Sequence, residues 1–273
     1  MSAVPRNTWI ELLEVSCSQV SVTCLDIIID QAGSDSPLLP SVLSVEPALP
    51  WYSLFTGLPE AGADELAPLL VRVDLAQPLQ RQWLVGLVQA LNGRSQLLVL
   101  GSLWPFQALA EHLGRCLEVR NGGYLGLLRY YDPRLFPLLF SHVLEPQQQQ
   151  PLLRPAVFWS WLDRDGSPKR LAGAADTPEL PEDFTPIELS DSQLETLSCA
   201  SDATVAMVSL ADALPSAWRA EQRFQACYAA MLDATQAGLL LNSQREAHTL
   251  DRLRNACATQ TSEEIGRASC RER

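Results

Sequence analysis

The chain has 273 residues, of which 47% are apolar, and it carries a formal net charge of −12 at pH 7. This length and apolar content suffice for the core of one large domain or of two smaller ones. No apolar run approaches the ~20 residues that a membrane-spanning helix needs, and the first residues lack the basic-then-apolar pattern of a secretory signal. We therefore expect a cytoplasmic protein that makes no membrane contact.

The distribution of cysteine and charge excludes further classes. The seven cysteines are odd in number and scattered, with no Cys-x-x-Cys, so neither a disulfide framework nor a zinc site is encoded. Residues 163–212 hold eleven acidic residues against three basic ones. No basic stripe is present to bind phosphates, which excludes a nucleic-acid-binding protein. The acidic stretch is either a solvated linker or a surface that steers a basic partner.

The first half of the chain alternates between strand and helix patterns. Residues 22–30, with Ile27 to Ile29 at their centre, read as a central strand, and residues 31–50 are rich in loop-forming types. A second strand is predicted over 69–74, a helix over 77–91 and a buried strand over 96–101. This alternation predicts α/β layering.

The block that follows is dense in local signals. Ser102 can cap a helix whose apolar stripe includes Phe106, Leu109 and Leu113. Asn121-Gly122-Gly123 predicts a hairpin with a loop of about three residues. Asp132 is then placed to cap a helix whose first residue is Pro133.

The last third of the chain has a different character. A Pro-rich, acidic linker is predicted over 163–189, and a strand precedes it at residues 155–161. Beyond the linker the periodicity is helical, with capping boxes at Ser190 and Ser243. The predicted fold class is thus α/β, with a mixed-sheet N-terminal lobe over residues 1–162, a small all-helical lobe over 190–258 and a disordered tail over 259–273.

The sequence contains no motif that is typical of an enzyme active site. His112, His142 and His248 have no metal-ligand spacing, and Gly93-Arg-Ser-Gln-Leu97 lacks the second glycine of a nucleophile elbow. No phosphate-binding glycine loop occurs. We expect no catalytic residue, no cofactor and no metal.

Several motifs together carry a resemblance to a known family. They resemble the effector chaperones, also called adaptors, of the bacterial type VI secretion system. The specific motifs are Leu109-Ala-Glu-His-Leu113, Leu117-Glu-Val, Arg129-Tyr-Tyr-Asp-Pro-Arg134 and Phe158-Trp-Ser-Trp161, with Pro68-Leu-Leu-Val-Arg-Val-Asp74 upstream and Leu189-Ser-Asp-Ser-Gln-Leu194 downstream. The similarity extends over most of the chain, although Gly123-Tyr124 and the glutamine tract 147–150 depart from the usual pattern.

The resemblance implies a cytoplasmic protein that holds a toxic effector and delivers it to the secretion spike protein. Two groups of candidate partner-binding residues follow. The first group is Arg129, Asp132 and Arg134, and the second is Trp218 with the helical stripe Cys227, Tyr228, Met231 and Leu232. Asp132 also has a purely structural interpretation, as a helix cap paired with Arg129 or Arg134. The alternative functions are an immunity-type inhibitor of a toxin and a small-molecule hydrolase or transferase.

Overall fold

The computed structural model describes residues 7–178 and 184–269, with side chains for 8–178 and 184–255. The chain divides into two compact units, Met1–Ser190 and Asp191–Arg273. The first unit is α/β and the second is helical, which confirms the predicted fold class.

The described part of the first unit contains strands and helices in alternation. Its strands are β1 Cys24–Ile29, β2 Trp51–Ser53, β3 Leu69–Asp74, β4 Leu97–Ser102, β5 Glu118–Asn121, β6 Tyr124–Leu127, β7 Ala156–Leu162, β8 Pro168–Ala172 and β9 Ile187–Glu188. Its helices are α1 Asn7–Gln19, α2 Leu39–Leu43, α3 Pro78–Ala90, α4 Phe106–Arg115, α5 Phe136–Leu138 and α6 Pro146–Leu153, with a π-helical turn at Leu139–Val143.

The main sheet has six strands in the order β2-β3-β1-β4-β7-β8. Every neighbouring pair in it is antiparallel. The mixed pairing predicted for this lobe occurs at β5 instead, which pairs antiparallel with β6 and parallel with β9. The helix α3 connects β3 to β4 on either side of β1, which makes these two strands parallel without being neighbours. The sequence could not predict the antiparallel pairing, because a strand buried on both faces is a continuous apolar run in either type of sheet.

Strand β1 is the centre of the sheet and is buried on both faces. Leu25, Ile27 and Ile29 pack into one apolar core with α1 and α3, to which Trp9 and Leu84 contribute. Because successive side chains of a strand point to opposite faces, Asp26 and Ile28 lie on the other side. The sheet is therefore covered on both faces, and the prediction of a central strand here is confirmed.

Aromatic side chains fill the second face. Phe136 of α5 lies 5.0 Å from the ring of Trp159 and 5.3 Å from that of Trp161, both on β7. Trp159 is fully buried and donates its indole N–H to the carbonyl of Leu152 at 2.9 Å. The shared face of the two tryptophans, which their spacing predicted, is thus the protein core.

A buried ion pair joins two neighbouring strands on this second face. Asp26 of β1 stands directly opposite Arg72 of β3, and the guanidinium donates to both carboxylate oxygens at 2.7 and 2.8 Å. Arg72 also donates to the carbonyl of Trp104 and lies over the ring of Phe106. Burial raises the pKa of Asp26 to about 6, and the hydrogen bond from Arg72 opposes that shift.

A second, smaller sheet has the order β6-β5-β9. Its β5–β6 hairpin confirms the predicted turn, although Asn121 pairs with Tyr124, so the loop is only Gly122-Gly123. Both glycines have positive φ, 53° and 90°, which suits a two-residue hairpin loop. Strand β9 pairs with β5 in parallel, Val119 opposite Ile187.

Strands β8 and β9 both lie within residues 163–189, so the prediction that this whole segment is a linker is wrong. β8 returns along β7 after a turn in which the Asp163 carboxylate accepts the N–H groups of Asp165 and Ser167. β9 closes the small sheet. The acidic and proline residues read as linker because strands this short carry almost no periodicity. Residues 179–183 of the predicted linker lie outside the described residues.

The second unit consists of α7 Asp191–Ser209, a short 3-10 helix at Ala211–Ala213, α8 Ala220–Gln236 and α9 Asn242–Ser269. Small residues of α7, Cys199, Ala200, Ala203 and Ala206, are buried. Helix α9 continues to Ser269, through most of the predicted disordered tail, and residues 270–273 of that tail lie outside the described residues. No helix among the described residues is long and apolar enough to cross a membrane.

The buried ion pair generates a first prediction. We expect Arg72→Met to lower the free energy of unfolding by ~3–5 kcal/mol, because it leaves the Asp26 carboxyl buried without its partner. The double variant Asp26→Leu with Arg72→Met should recover most of that loss. Urea denaturation measures both. The matched control is Arg81→Met, which breaks an exposed pair with Glu14 and should cost ~0–1 kcal/mol. A loss below ~1 kcal/mol for Arg72→Met would contradict the account.

The revised boundary generates a second prediction. A chain that ends at Ser190 keeps every strand of both sheets, and we expect it to unfold in one cooperative thermal transition. A chain that ends at Trp161 lacks β8 and β9 and leaves the edges of β7 and β5 unpaired, so we expect aggregation. Thermal unfolding followed by near-UV circular dichroism distinguishes the two. Equal folding of both chains would restore the boundary that the sequence predicts near residue 162.

Candidate binding site around residues 129–134

The hexapeptide Arg129 to Arg134 leads from the β5–β6 hairpin into α5. Its four central residues, Tyr130, Tyr131, Asp132 and Pro133, are buried. Its two terminal arginines are exposed, with side chains that are 46% and 49% accessible. The segment therefore anchors itself through its middle and presents a guanidinium at each end.

Asp132 organises the turn. Its carboxylate accepts the backbone N–H of Arg134 at 2.9 Å and binds the Nε and Nη2 of the same residue at 2.9 and 2.7 Å. Its carbonyl oxygen accepts the N–H groups of Leu135 and Phe136. Helix α5 begins at Phe136, so the prediction of a helix starting at Pro133 is wrong: the Asp132 carboxylate stabilises a turn that precedes the helix.

Arg129 ties the hexapeptide to the central strand. Its Nη2 donates to the Oδ2 of Asp30, which directly follows β1, at 2.7 Å. The guanidinium also lies 5.6 Å from the ring centre of Tyr131. Asp30 is held in turn, because its N–H and carbonyl both bond to Gln96 and its Oδ1 accepts the N–H of Ala32. This pair fixes the hexapeptide to β1 and to the residue preceding β4.

The two ion pairs form one electrostatic cluster. The hydrogen bond to Asp132 raises the pKa of Arg134, with a contribution from Asp30 as well. Partial burial works against the charge of Arg129, but Asp30 raises its pKa overall, and Asp132 adds to the effect. Both guanidiniums therefore stay charged at any physiological pH and take no part in proton transfer.

This geometry is suited to binding. Each guanidinium is held on one side by a buried carboxylate and is about half exposed on the other. An arginine fixed in this way has already lost much of its side-chain freedom, so a partner carboxylate or carbonyl binds it at a reduced entropic cost. The cluster combines two cations with two anions, so its net charge is zero. It therefore offers a partner oriented N–H donors and not a strong positive electrostatic potential.

The tyrosines of the hexapeptide are structural. The Tyr130 hydroxyl donates to the carbonyl of Leu113 at 2.9 Å, and its ring meets Trp159 edge-on. Burial raises its pKa well above the usual value of 10.

Pro133 lines a cavity of about 20 Å³ with Trp9 and Leu97, which is room for about one water and not for a ligand.

The glutamine tract following the π-helical turn has a local role. The Gln149 side chain donates to the carbonyls of Phe140 and Leu144, which the π-helical turn leaves open. Gln148 binds the N–H of Glu145 and the carbonyl of Glu188 on β9. The tract thus joins the turn after the hexapeptide to the small sheet.

His112 lies against a backbone carbonyl and His142 against a neighbouring serine. His112 is largely buried, its Nε2 lies 2.6 Å from the carbonyl of Pro151, and burial lowers its pKa. Ser141 lies 2.6 Å from the Nδ1 of His142, but its hydroxyl donates its proton to the carbonyl of Pro137. No group of three or more potential metal ligands comes together in the part of the chain that the structure describes.

The prediction that the helical stripe of α8 binds a partner needs correction. Cys227, Tyr228 and Met231 are buried, at 0%, 1% and 3% exposure, and they form the core between α8 and its neighbours. The ring of Tyr228 stacks on that of Phe224, and its hydroxyl donates to the carbonyl of Thr196 on α7. Burial raises the pKa of Cys227 to about 11 and that of Tyr228 to about 12. A partner contact through these three side chains is wrong, because a stripe at helical spacing faces the core first.

The other two residues of that group keep some exposure. Trp218 and Leu232 are half-buried. The more exposed apolar residues of the helical unit lie elsewhere: Val205 and Val208 on α7, and Leu240 and Leu241 before α9. Sequence reasoning missed the valines because they lie outside the α7 stripe that becomes the core.

Stability tests the structural role of Asp132. We expect Asp132→Ala to lower the free energy of unfolding by ~0.5–2 kcal/mol, because the carboxylate accepts hydrogen bonds from the backbone N–H and the guanidinium of Arg134. Urea denaturation is the measurement. The control is Asp35→Ala, which removes a similar but exposed pair with Arg94 and should change stability little. If Asp132→Ala leaves stability unchanged yet abolishes partner binding, the residue is a contact and not a structural anchor.

Comparison with known proteins finds one similarity, over a segment that includes the hexapeptide. A search of curated proteins found no match, and a search of solved structures found none. Residues 27–150 match the model of a family described as "Domain of unknown function (DUF4123)". The matched segment runs from within β1 into α6 and includes the two pairs of the hexapeptide, Arg129 with Asp30 and Arg134 with Asp132. Over this segment, therefore, the chain is similar to that family.

Proposed function

We propose that this chain is a chaperone and adaptor that binds a cognate type VI secretion toxin and helps to load it onto the spike protein. The observation that carries the proposal is the hexapeptide 129–134. It combines a sequence pattern resembling the effector chaperones with two half-exposed guanidiniums, each fixed by a buried aspartate.

The family match supports the same assignment. The matched family is associated with effector adaptors of the type VI system, and the match covers the segment that positions the hexapeptide. The motifs Leu109 to Leu113 and Leu117 to Val119 lie in the same segment, in α4 and at the start of β5, and the carbonyl of Leu113 accepts a hydrogen bond from the Tyr130 hydroxyl. The resemblance therefore coincides with the residues that build the site.

The proposed mechanism is non-covalent. The α/β unit provides a rigid platform, because its central strand is buried on both faces and its hexapeptide is anchored by ion pairs. Arg129 and Arg134 bind acidic or carbonyl groups of a partner. The helical unit contacts apolar segments of the toxin through its exposed residues, and it selects among toxins. Shielding such segments in the cytoplasm keeps the toxin soluble before secretion.

Co-expression tests the proposal. We expect the full chain to raise the soluble yield of one toxin encoded beside its gene, because it covers exposed apolar surface. The double variant Arg129→Gln with Arg134→Gln should lose most of this effect. Arg81→Gln, an exposed arginine paired with Glu14, is the matched control and should behave like the unchanged chain. Soluble toxin is quantified after centrifugation.

Folding must be separated from binding in this experiment. Loss of a guanidinium leaves Asp30 or Asp132 buried with fewer partners, so melting temperatures are measured in parallel. Arg134→Lys keeps the charge but cannot donate to both carboxylate oxygens in the fork geometry, and we expect an intermediate yield. A full chain that changes the solubility of no neighbouring toxin would contradict the proposed function.

A further inference from the structure

The outer strand of the small sheet is an unprotected edge. In the order β6-β5-β9, β6 pairs with β5 on one side, and no other strand in the described part of the chain pairs with its other side. Its residues Tyr124 and Leu125 are 81% and 61% exposed, which is unusual for large apolar side chains. Edge strands are commonly protected by a charge, a proline or a bulge. Residues 122–128, Gly-Gly-Tyr-Leu-Gly-Leu-Leu, contain no charge and no proline, and the β5–β6 register runs without a bulge.

The hydrogen-bond pattern shows which main-chain groups of β6 face outward. Leu128 donates its N–H to the carbonyl of Leu117 at 2.7 Å, at the end of the β5–β6 ladder. Antiparallel pairs alternate between bonded and non-bonded positions, so Gly126 and Tyr124 also bond to β5. The N–H and carbonyl groups of Leu125 and Leu127 therefore point away from β5.

The opposite side of β5 confirms this alternation. The carbonyl of Arg120, which stands opposite Leu125, accepts the N–H of Leu189 at 2.7 Å. It thus points toward β9 and away from β6, as the alternation requires for that pair. By the same rule, Leu125 and Leu127 present two donors and two acceptors along the outer edge of β6.

We propose that this edge pairs with the same edge of a second copy of the chain, so that two small sheets join into one. An antiparallel pairing with its two-fold axis at Gly126 places Leu125 opposite Leu127 of the second copy, and Leu127 opposite its Leu125. All four outward donors of the two strands then find acceptors. Gly126 meets Gly126 of the second copy where antiparallel backbones approach most closely, and no side chain obstructs that approach.

Charge and symmetry select the second copy over other occupants. A self-complementary edge closes under two-fold symmetry and leaves no edge open for further growth at β6. The uncharged segment 122–128 places no like charges opposite one another, and it offers nothing for a basic or acidic peptide to recognise. The short strand limits the interface to well below ~1,000 Å², so the dimer is weak, with a dissociation constant between ~10 µM and ~1 mM.

Sedimentation velocity of the full chain between ~5 and ~500 µM is the test, a range chosen to bracket the expected dissociation constant. We expect the sedimentation coefficient to rise from monomer toward dimer. Leu125→Pro removes an outward N–H at an edge position where proline is tolerated, and it should stay monomeric. Leu125→Val keeps the N–H and an apolar side chain, and it should dimerise like the unchanged chain.

The outcomes are decisive whichever way they fall. A monomer throughout the concentration range overturns the proposal, and so does a dimer that survives Leu125→Pro. If that variant does not fold, hydrogen exchange of the unchanged chain decides. Protection of the Leu125 and Leu127 amides must rise with concentration, and constant exchange there overturns the pairing. The inference is independent of the proposed function, since it requires no toxin.

Discussion

The ion pair between Asp30 and Arg129 connects the core of the α/β unit to its candidate binding site. Asp30 directly follows β1, the strand that is buried on both faces of the main sheet. Its backbone is held by Gln96, and its carboxylate holds the arginine that begins the hexapeptide. The hexapeptide is thereby fixed to the buried central strand of the main sheet. Without that anchor, Arg129 would be an ordinary surface cation, whereas Arg134 is held separately by Asp132.

Much of this architecture could be predicted from the sequence because its local signals agree. The central strand with Ile27 to Ile29, the helix predicted over 77–91 and the Asn-Gly-Gly turn each have one physical interpretation, and the structure confirms them, with the helix at Pro78–Ala90. Helix α1 was missed although Trp9, Leu13 and Cys17 have helical spacing, since a short terminal segment with mixed polarity gives a weak pattern. Strands β8 and β9 were missed because strands this short carry almost no periodicity, and β9 also pairs with a strand far away in sequence.

The site could be predicted only in part. Spacing located the hexapeptide and suggested the Asp132–Arg134 pair, but it could not connect Arg129 to Asp30, 99 residues away. The buried pair between Asp26 and Arg72 gave a signal that was overlooked: two charges within apolar strands that pair with each other. The stripe with Cys227, Tyr228 and Met231 misled because adaptable side chains fill a core as readily as they line a groove.

We propose that this chain binds a secreted toxin and the spike protein. Affinity purification of the full chain from its host, followed by quantitative mass spectrometry, tests it most directly, with the Arg129→Gln, Arg134→Gln variant processed in parallel. The account predicts that one toxin and the spike protein are enriched with the unchanged chain and that the toxin is strongly depleted with the variant. Recovery of neither protein, or equal recovery of the toxin with both chains, would contradict it.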